Sequence, residues 1–177
     1  MAKGQSRGAD YMRGFTWGLK GEEVVMTNLN KELEAIKVRS MRGLIMAATF
    51  IRNQTEHTPP LTPVDLGNLR ASYFVTTAKR VQVGAGTHTF KGSNAAKMSE
   101  DHTSVLTETQ GMAASQSNKD KQFLIMGYSA NYGGFVHEMI GANFKRPGAG
   151  PKWLESHIKS NTSKIVQIVK ENSQIKK

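Results

Sequence analysis

The stretch Thr62-Pro63-Val64-Asp65-Leu66-Gly67-Asn68-Leu69-Arg70-Ala71-Ser72 constrains the fold more than any other part of the chain. It separates a long helical pattern from a strand pattern, so the chain turns a corner there. Pro63 fixes its own φ and pushes Thr62 out of the helical region. Asp65 is the predicted N-cap, its carboxylate accepting from the amide of Gly67 or Asn68. Leu66 to Ser72 then read as a short helix with Leu69 pointing inward. Gly67 either admits another backbone or relaxes the turn. Arg70, on the polar side, is placed to pair with a carboxylate, and Glu138 is the expected partner, inside one subunit or between two. For catalysis the stretch reads as a plain capped turn.

The pattern before the corner is helical from Glu22 to just short of Pro59-Pro60. Val25, Leu29, Leu33, Ile36, Leu44 and Ile51 recur on one face, and Glu22 and Glu23 sit where the helix dipole favours acids. Met41, Ile45 and Phe50 add apolar surface outside that stripe. A helix with a second apolar side has two neighbours, so Met41, Ile45 and Phe50 are the candidate subunit interface. Residues 1–13, rich in Gly, Ser and basic residues, read as a flexible basic arm, and Phe15 to Leu19 as a short edge strand.

After the corner, Tyr73–Thr77 and Val81–Val83 are strand-like, with Lys79-Arg80 as a kink or turn. Strand character returns at Gln122–Tyr128. The two regions read as a hairpin whose tip is a long loop insertion, residues 86–120, rich in Gly, Ser, Thr, Asn, Gln and Ala. A structureless loop of that length is normally functional or disordered. Ser129–Ile140 read as a helical turn that packs Tyr132, Val136 and Ile140 on the sheet. Pro151 is predicted at the first position of one C-terminal helix, 151–175. Leu154, Ile158, Ile165, Ile168 and Val169 form its apolar face, with Trp153 and His157 at the border.

Composition excludes several classes of function. The chain has no cysteine, which removes disulfides, thiolate chemistry and Cys-based zinc sites. No run approaches the roughly 18 apolar residues of a membrane span, and no apolar leader opens the sequence. The reading is a soluble protein made in a cytosol, away from membranes. The formal net charge of +10 points toward nucleic acid. The excess is spread out, however, and no cluster interleaves aromatics with arginine as a base-stacking surface does.

No catalytic constellation emerges. His137-Glu138 matches half of a zinc-protease helix motif, but position 141 is Gly where the second His belongs. His57, His88, His102 and His157 lack ligand spacing. Gly84-Ala85-Gly86 is not followed by the rest of a dinucleotide fingerprint, and no P-loop or nucleophile elbow is present. The expectation is a non-enzymatic protein with no metal and no cofactor.

Three blocks carry a resemblance. Pro63-Val64-Asp65-Leu66-Gly67-Asn68-Leu69-Arg70-Ala71-Ser72 is similar to the signature of the tail-component family of long-tailed phages. Tyr132-Gly133-Gly134-Phe135-Val136-His137-Glu138 resembles that family's second block. Arg146-Pro147-Gly148-Ala149-Gly150-Pro151-Lys152-Trp153-Leu154-Glu155 resembles its Pro-rich entry into a last helix. Together with the helices before and after, they span most of residues 15–172. The departures are Leu66 in place of Thr, Gly133 in place of Ala, and the 86–120 insert. The resemblance implies one α+β domain over 1–177, a small antiparallel sheet packed on a long N-terminal helix and a C-terminal amphipathic helix. It also implies a structural virion protein that forms a ring in the neck, completes the tail and joins it to the head connector around the DNA exit channel. The implied partners are further copies of the chain, the connector or adaptor protein, and the tail tube or its terminator. Six-fold assembly is favoured over twelve-fold, with non-specific proximity to genomic DNA. Tail-tube termination and connector closure are alternatives within the same neck. A small basic nucleic-acid-binding protein is the alternative of another class.

Overall fold

A computed structural model describes residues 22–83, 89–118 and 121–174 of the chain. The arm expected over 1–13 and the strand expected at Phe15 to Leu19 lie outside the described residues. The fold is α+β and mostly helical. The described residues cluster into two units that divide between Ala35 and Ile36.

The described part of the first unit, residues 22–35, is the opening stretch of helix α1 (Glu22–His57). Its expected apolar stripe is not covered: Val25, Leu29 and Leu33 are exposed, as are Val24 and Met26, and Val25 keeps 65% of its surface. Periodicity alone cannot tell a helix face that has a neighbour from one that awaits one. Further along, in the second unit, Ile36 and Leu44 are half-buried and Ile51 is fully enclosed. The helix stops at His57 because the residues that follow include Pro59 and Pro60, which lack an amide hydrogen and disfavour a helical residue before them.

The second unit is built on a three-stranded antiparallel sheet in the order β2-β1-β3, with β1 at Tyr73–Thr77, β2 at Val81–Val83 and β3 at Leu124–Tyr128. The β1–β2 turn is closed by Thr77, whose amide donates to Arg80 O (2.8 Å) while its hydroxyl oxygen accepts from the Arg80 amide (3.0 Å). β1 is central and buried along its whole length. Tyr73 and Val75 face α1, packing on Ala48 together with Leu124, Met126 and Tyr128 of β3. The Tyr73 hydroxyl donates to Ala48 O at 3.2 Å. The opposite face carries Phe74, whose ring crowds Gly127: a Cβ there would lie 3.3 Å from Phe74 Cζ.

That opposite face corrects the largest sequence expectation. Residues 86–120 are not a long loop insertion: Ala95–Gln116 form a 22-residue helix, α3, which packs against β1 and β3. Its inward positions, Met98, His102, Val105, Leu106, Thr109 and Ala113, recur at helical spacing, yet three of the six are small or polar and the two most buried are His102 and Ala113, so a count of large apolar residues understates the stripe. Ala113 is completely buried, and His102 Nδ1 meets Ser129 Oγ at 2.5 Å. Threonine hydroxyls at 103, 107 and 109 are satisfied by carbonyls one turn back within the helix. The hairpin reading is corrected with it: β3 pairs with β1, Tyr73 opposite Tyr128, and the chain from β2 reaches β3 through α3.

The C-terminal helix expected over 151–175 is two helices, α5 (Trp153–Ser160) and α6 (Thr162–Ser173). The break falls in Ser160-Asn161-Thr162, where every side chain bonds backbone locally; Asn161 Nδ2 donates to His157 O at 2.9 Å. Pro151 is not the first helical residue. Lys152 intervenes with φ 57°, in the left-handed region. α6 lies directly against α1 at Gly43, where a Cβ would be 3.0 Å from Val169 Cα and 3.1 Å from its carbonyl oxygen.

Gly43→Ala is expected to cost about 1–3 kcal/mol through overpacking. Gly111→Ala, in α3 with open space at its Cβ position, is expected to gain about 0.5–1 kcal/mol from helix propensity. Denaturant melts check both, and equal effects at the two glycines would disprove the close crossing.

Candidate functional site

The three sequence blocks meet in one place. Leu69 of the corner, Val136 of the second block, and Trp153 and Leu154 of the third pack in a single cluster with Ala130, Tyr128 and Met98. Leu69 points inward as expected. Trp153 and His157 do not lie at a border: both are buried, Trp153 almost completely. The Trp153 ring meets Tyr128 and His137 edge-on, with centroids at 6.0 and 4.8 Å, and His157 Nε2 donates to Pro60 O at 3.1 Å. The one-turn spacing of Trp153 and His157 is the signal that marks them as the inner face of α5. Gly133 stands where the resemblance leads to Ala, and a Cβ there would be 3.2 Å from Leu69 Cδ1.

The corner helix is shorter than expected, α2 being Asn68–Ala71, and its cap is not Asp65. Gly67 precedes it with φ 88°, a conformation open to Gly at little cost. Nothing approaches the Gly67 Cβ position, so of its two readings the relaxed turn is the one found. The Asp65 carboxylate turns outward to Lys145 Nζ instead (2.5 Å), and both side chains are well exposed. Asn68 does the connecting work. Its Oδ1 accepts from the Lys91 amide (2.8 Å) and its Nδ2 donates to the Lys91 carbonyl (2.9 Å). One side-chain amide thus replaces a backbone bridge and holds the chain that leads into α3.

Beneath the corner lies a charge cluster that the sequence reading missed. The Glu56 carboxylate, nearly buried, faces Arg52 at 2.9 Å, Arg70 at 2.6 Å and Arg146 at 3.1 Å. Within one subunit Arg70 therefore pairs with Glu56 and not with Glu138. Arg146 also donates to the carbonyls of Thr62 (3.0 Å) and Glu56 (2.6 Å). Arg52 donates to the Tyr128 hydroxyl (2.9 Å) and to Arg70 O (3.1 Å), and lies 4.6 Å from the centre of the Tyr73 ring. The Tyr128 hydroxyl in turn contacts Thr62 Oγ1 at 3.1 Å and Thr55 Oγ1 at 3.3 Å. Burial and the neighbouring Tyr128 push the Tyr73 phenol well above its ordinary pKa. The i,i+4 spacing of Arg52 and Glu56 was readable as a helix pair; the arrival of Arg70 and Arg146 was not.

The second block forms α4 (Gly133–Glu138). Val136 packs inward, but Ile140 is 83% exposed and not on the sheet, and Tyr132 and Phe135 face outward too. Glu138 accepts from His137 Nδ1 at 2.9 Å and pairs with Lys152, which also reaches Glu155 at 3.2 Å. Hydrogen bonds from Lys152 and then His137 hold the Glu138 carboxyl below its ordinary range, and the same pairing with Glu138 raises Lys152. Glu155 is lowered to about 2, chiefly by its bond from Lys159. The loop between α4 and α5 carries Pro147 and returns beside the corner through a parallel bridge, Leu61 opposite Ala149. The candidate interface residues Met41, Ile45 and Phe50 are half-buried; the exposed apolar residues along that part of α1 are Val38 and Met46.

Above the three-block cluster opens a cleft of about 530 Å³. Its walls are the corner (63–69), the turn at 91–94 with Met98, and segment 132–145. Leu66, Tyr132, Met139 and Phe144 make it largely apolar, with Lys91, Lys145 and Asp65 as its charges. Burial, with the Asp65 charge behind it, raises the Tyr132 phenol above its ordinary pKa. Among the described residues, no three His, Asp or Glu side chains converge as a metal site requires, and no helix is long and apolar enough to cross a membrane. Comparison with protein-family models, curated proteins and solved structures finds no match.

Glu56→Gln is expected to destabilise the fold by about 3–5 kcal/mol, because it leaves three guanidinium groups around a neutral amide. Arg70→Ala, at a side chain that remains 45% exposed, is expected to cost under about 1 kcal/mol. Chemical melts of the two variants check this, and a mild Glu56→Gln would demote the cluster to a surface network.

A double-mutant cycle over Asp65→Ala and Lys145→Ala is expected to return a coupling of about 0.2–1 kcal/mol. An N-cap acting on its own helix would be indifferent to Lys145, so zero coupling with a full Asp65→Ala loss would restore the cap.

Proposed function

We propose that this chain is a structural protein of a tailed-phage virion: a non-enzymatic neck component that assembles as a ring, completes the tail and joins it to the head connector around the DNA exit channel. The observation that carries the reading is the meeting of Leu69, Val136, Trp153 and Leu154 in one cluster. The three stretches that resemble the phage tail-component family are far apart in sequence, and packing them on one another accounts for their occurring together. The exposed apolar residues of α1 and around the cleft suit a protein whose surfaces are completed by neighbours. Tail-tube termination and connector closure remain roles of the same kind at the same place.

A nucleic-acid reading is favoured by one observation. Residues 36–177 hold nineteen Lys and Arg against nine Asp and Glu, so that unit carries the whole net charge. A phosphate binder loses affinity by orders of magnitude between about 50 and 200 mM salt.

Reconstitution decides between the classes. Heads and tails from particles that lack the protein are mixed with and without it, and joined particles are counted by electron microscopy. Joining that requires the protein, with the chain located in the neck, is the expected result. Joining that proceeds without it, combined with steep salt-dependent binding to duplex DNA, would replace the neck reading with the second.

A further inference from the structure

Two surfaces described above expose apolar side chains and differ in charge. The first is the opening part of α1. Val25, Leu29 and Leu33 are one helical turn apart, so they form a continuous ridge about 12 Å long, with Met26 beside it, and all four are exposed. Residues 22–35 carry four Glu against one Lys. The second is the cleft at the corner, largely apolar, with exposed Leu66, Tyr132 and Met139 in its lining. It belongs to the unit that holds the chain's entire positive excess; Lys91 and Lys145 stand in its walls, Lys145 paired with Asp65.

We propose that the acidic, apolar ridge of α1 (22–35) from one copy docks in the corner cleft of a second copy, forming a head-to-tail joint. An amphipathic helix laid in an apolar groove is a recurrent recognition mode, read through anchors at i, i+4 and i+8 like these three. Charge selects the occupant. Two such ridges side by side would bring like charges together, which disfavours a symmetric coiled coil. An acidic ridge approaching a basic unit is drawn in and oriented. The contact joins different surfaces of identical chains, so it is heterologous: it repeats, and gives a ring where the rotation closes. The proposal deepens the neck reading by naming the ring's joint and rests on that reading only for closure.

The chain has no cysteine, so single-cysteine variants of the full chain report contacts cleanly. Copies carrying Leu29→Cys are mixed with copies carrying Met139→Cys and treated with a short bis-maleimide. Both positions are exposed, so neither change disturbs the core. The control mixture pairs Leu29→Cys with Ile158→Cys, an exposed position on α5. The expected result is a mixed cross-linked dimer at least about tenfold above the control, because a docked pair reacts at a high effective concentration. Leu33→Glu added to the first copy should reduce it to the control level. A yield equal to the control, or preferential linkage of Leu29→Cys copies to one another, overturns the joint. A discrete ring by light scattering without this cross-link would sink the joint and leave the ring. The cross-link in a protein that is absent from virions would sink the neck reading and leave the joint.

Discussion

The carboxylate of Glu56 is the point on which the second unit is hung. It comes from the last turns of α1, and its three guanidinium partners come from one turn earlier in α1, from the corner helix and from the loop before α5. A nearly buried carboxylate with one partner is a weak device, since desolvation offsets much of the attraction. Three partners change the sign of the problem: the excess is now positive and must itself be satisfied. Arg146 meets it with two carbonyls, and Arg52 with a carbonyl, a phenol oxygen and the face of the Tyr73 ring. Because three of those acceptors are backbone carbonyls, of Thr62, Glu56 and Arg70, the cluster fixes the path of the chain as well as its side chains. The corner is therefore shaped from below by charge and from inside by Leu69.

This arrangement explains why the corner holds so many residue types that look interchangeable and are not. Gly67 supplies a left-handed turn, Asn68 a side-chain bridge to Lys91, Leu69 a core contact and Arg70 an ion pair. One glycine sets the turn and the next three side chains serve three different neighbours. The same logic holds at Gly133 and Gly43, where small size is required by Leu69 and by the backbone of α6.

Much of the architecture was legible because it rests on local rules. The extent of α1, the limits of β1 and β2 and the inward turn of Leu69 follow from proline placement, β-branched runs and periodicity. What was not legible depends on partners distant in sequence. Asp65 has every attribute of an N-cap, and only the position of Lys145 draws it away. Arg70 finds its carboxylate within the subunit on α1 rather than at Glu138, and sequence order does not show that Glu56 lies beneath the corner. The helix at Ala95–Gln116 was hidden by its own composition. Its buried positions are Ala113 and His102 rather than leucines, so polarity was read as disorder while the spacing said helix. Trp153 and His157 fall at a border only if one stripe is drawn through Leu154, Ile158, Ile165, Ile168 and Val169, the last three of which belong to a separate helix beyond Asn161.

The two faces of the corner also tie stability to recognition. Leu66 and Leu69 are three residues apart, yet Leu69 is enclosed while Leu66 is exposed at the cleft, because Gly67 reverses the backbone between them. The wall of the cleft is thus the back of the segment that Glu56 and its arginines hold in place. A groove lined by a loop is adaptable but loses binding energy to ordering. A groove lined by a segment pinned through Arg70, Asn68 and Leu69 is ordered before anything enters it. The dense network beneath the corner therefore preorganises the surface above it, and the apolar residues left open there face outward from one of the most constrained parts of the chain.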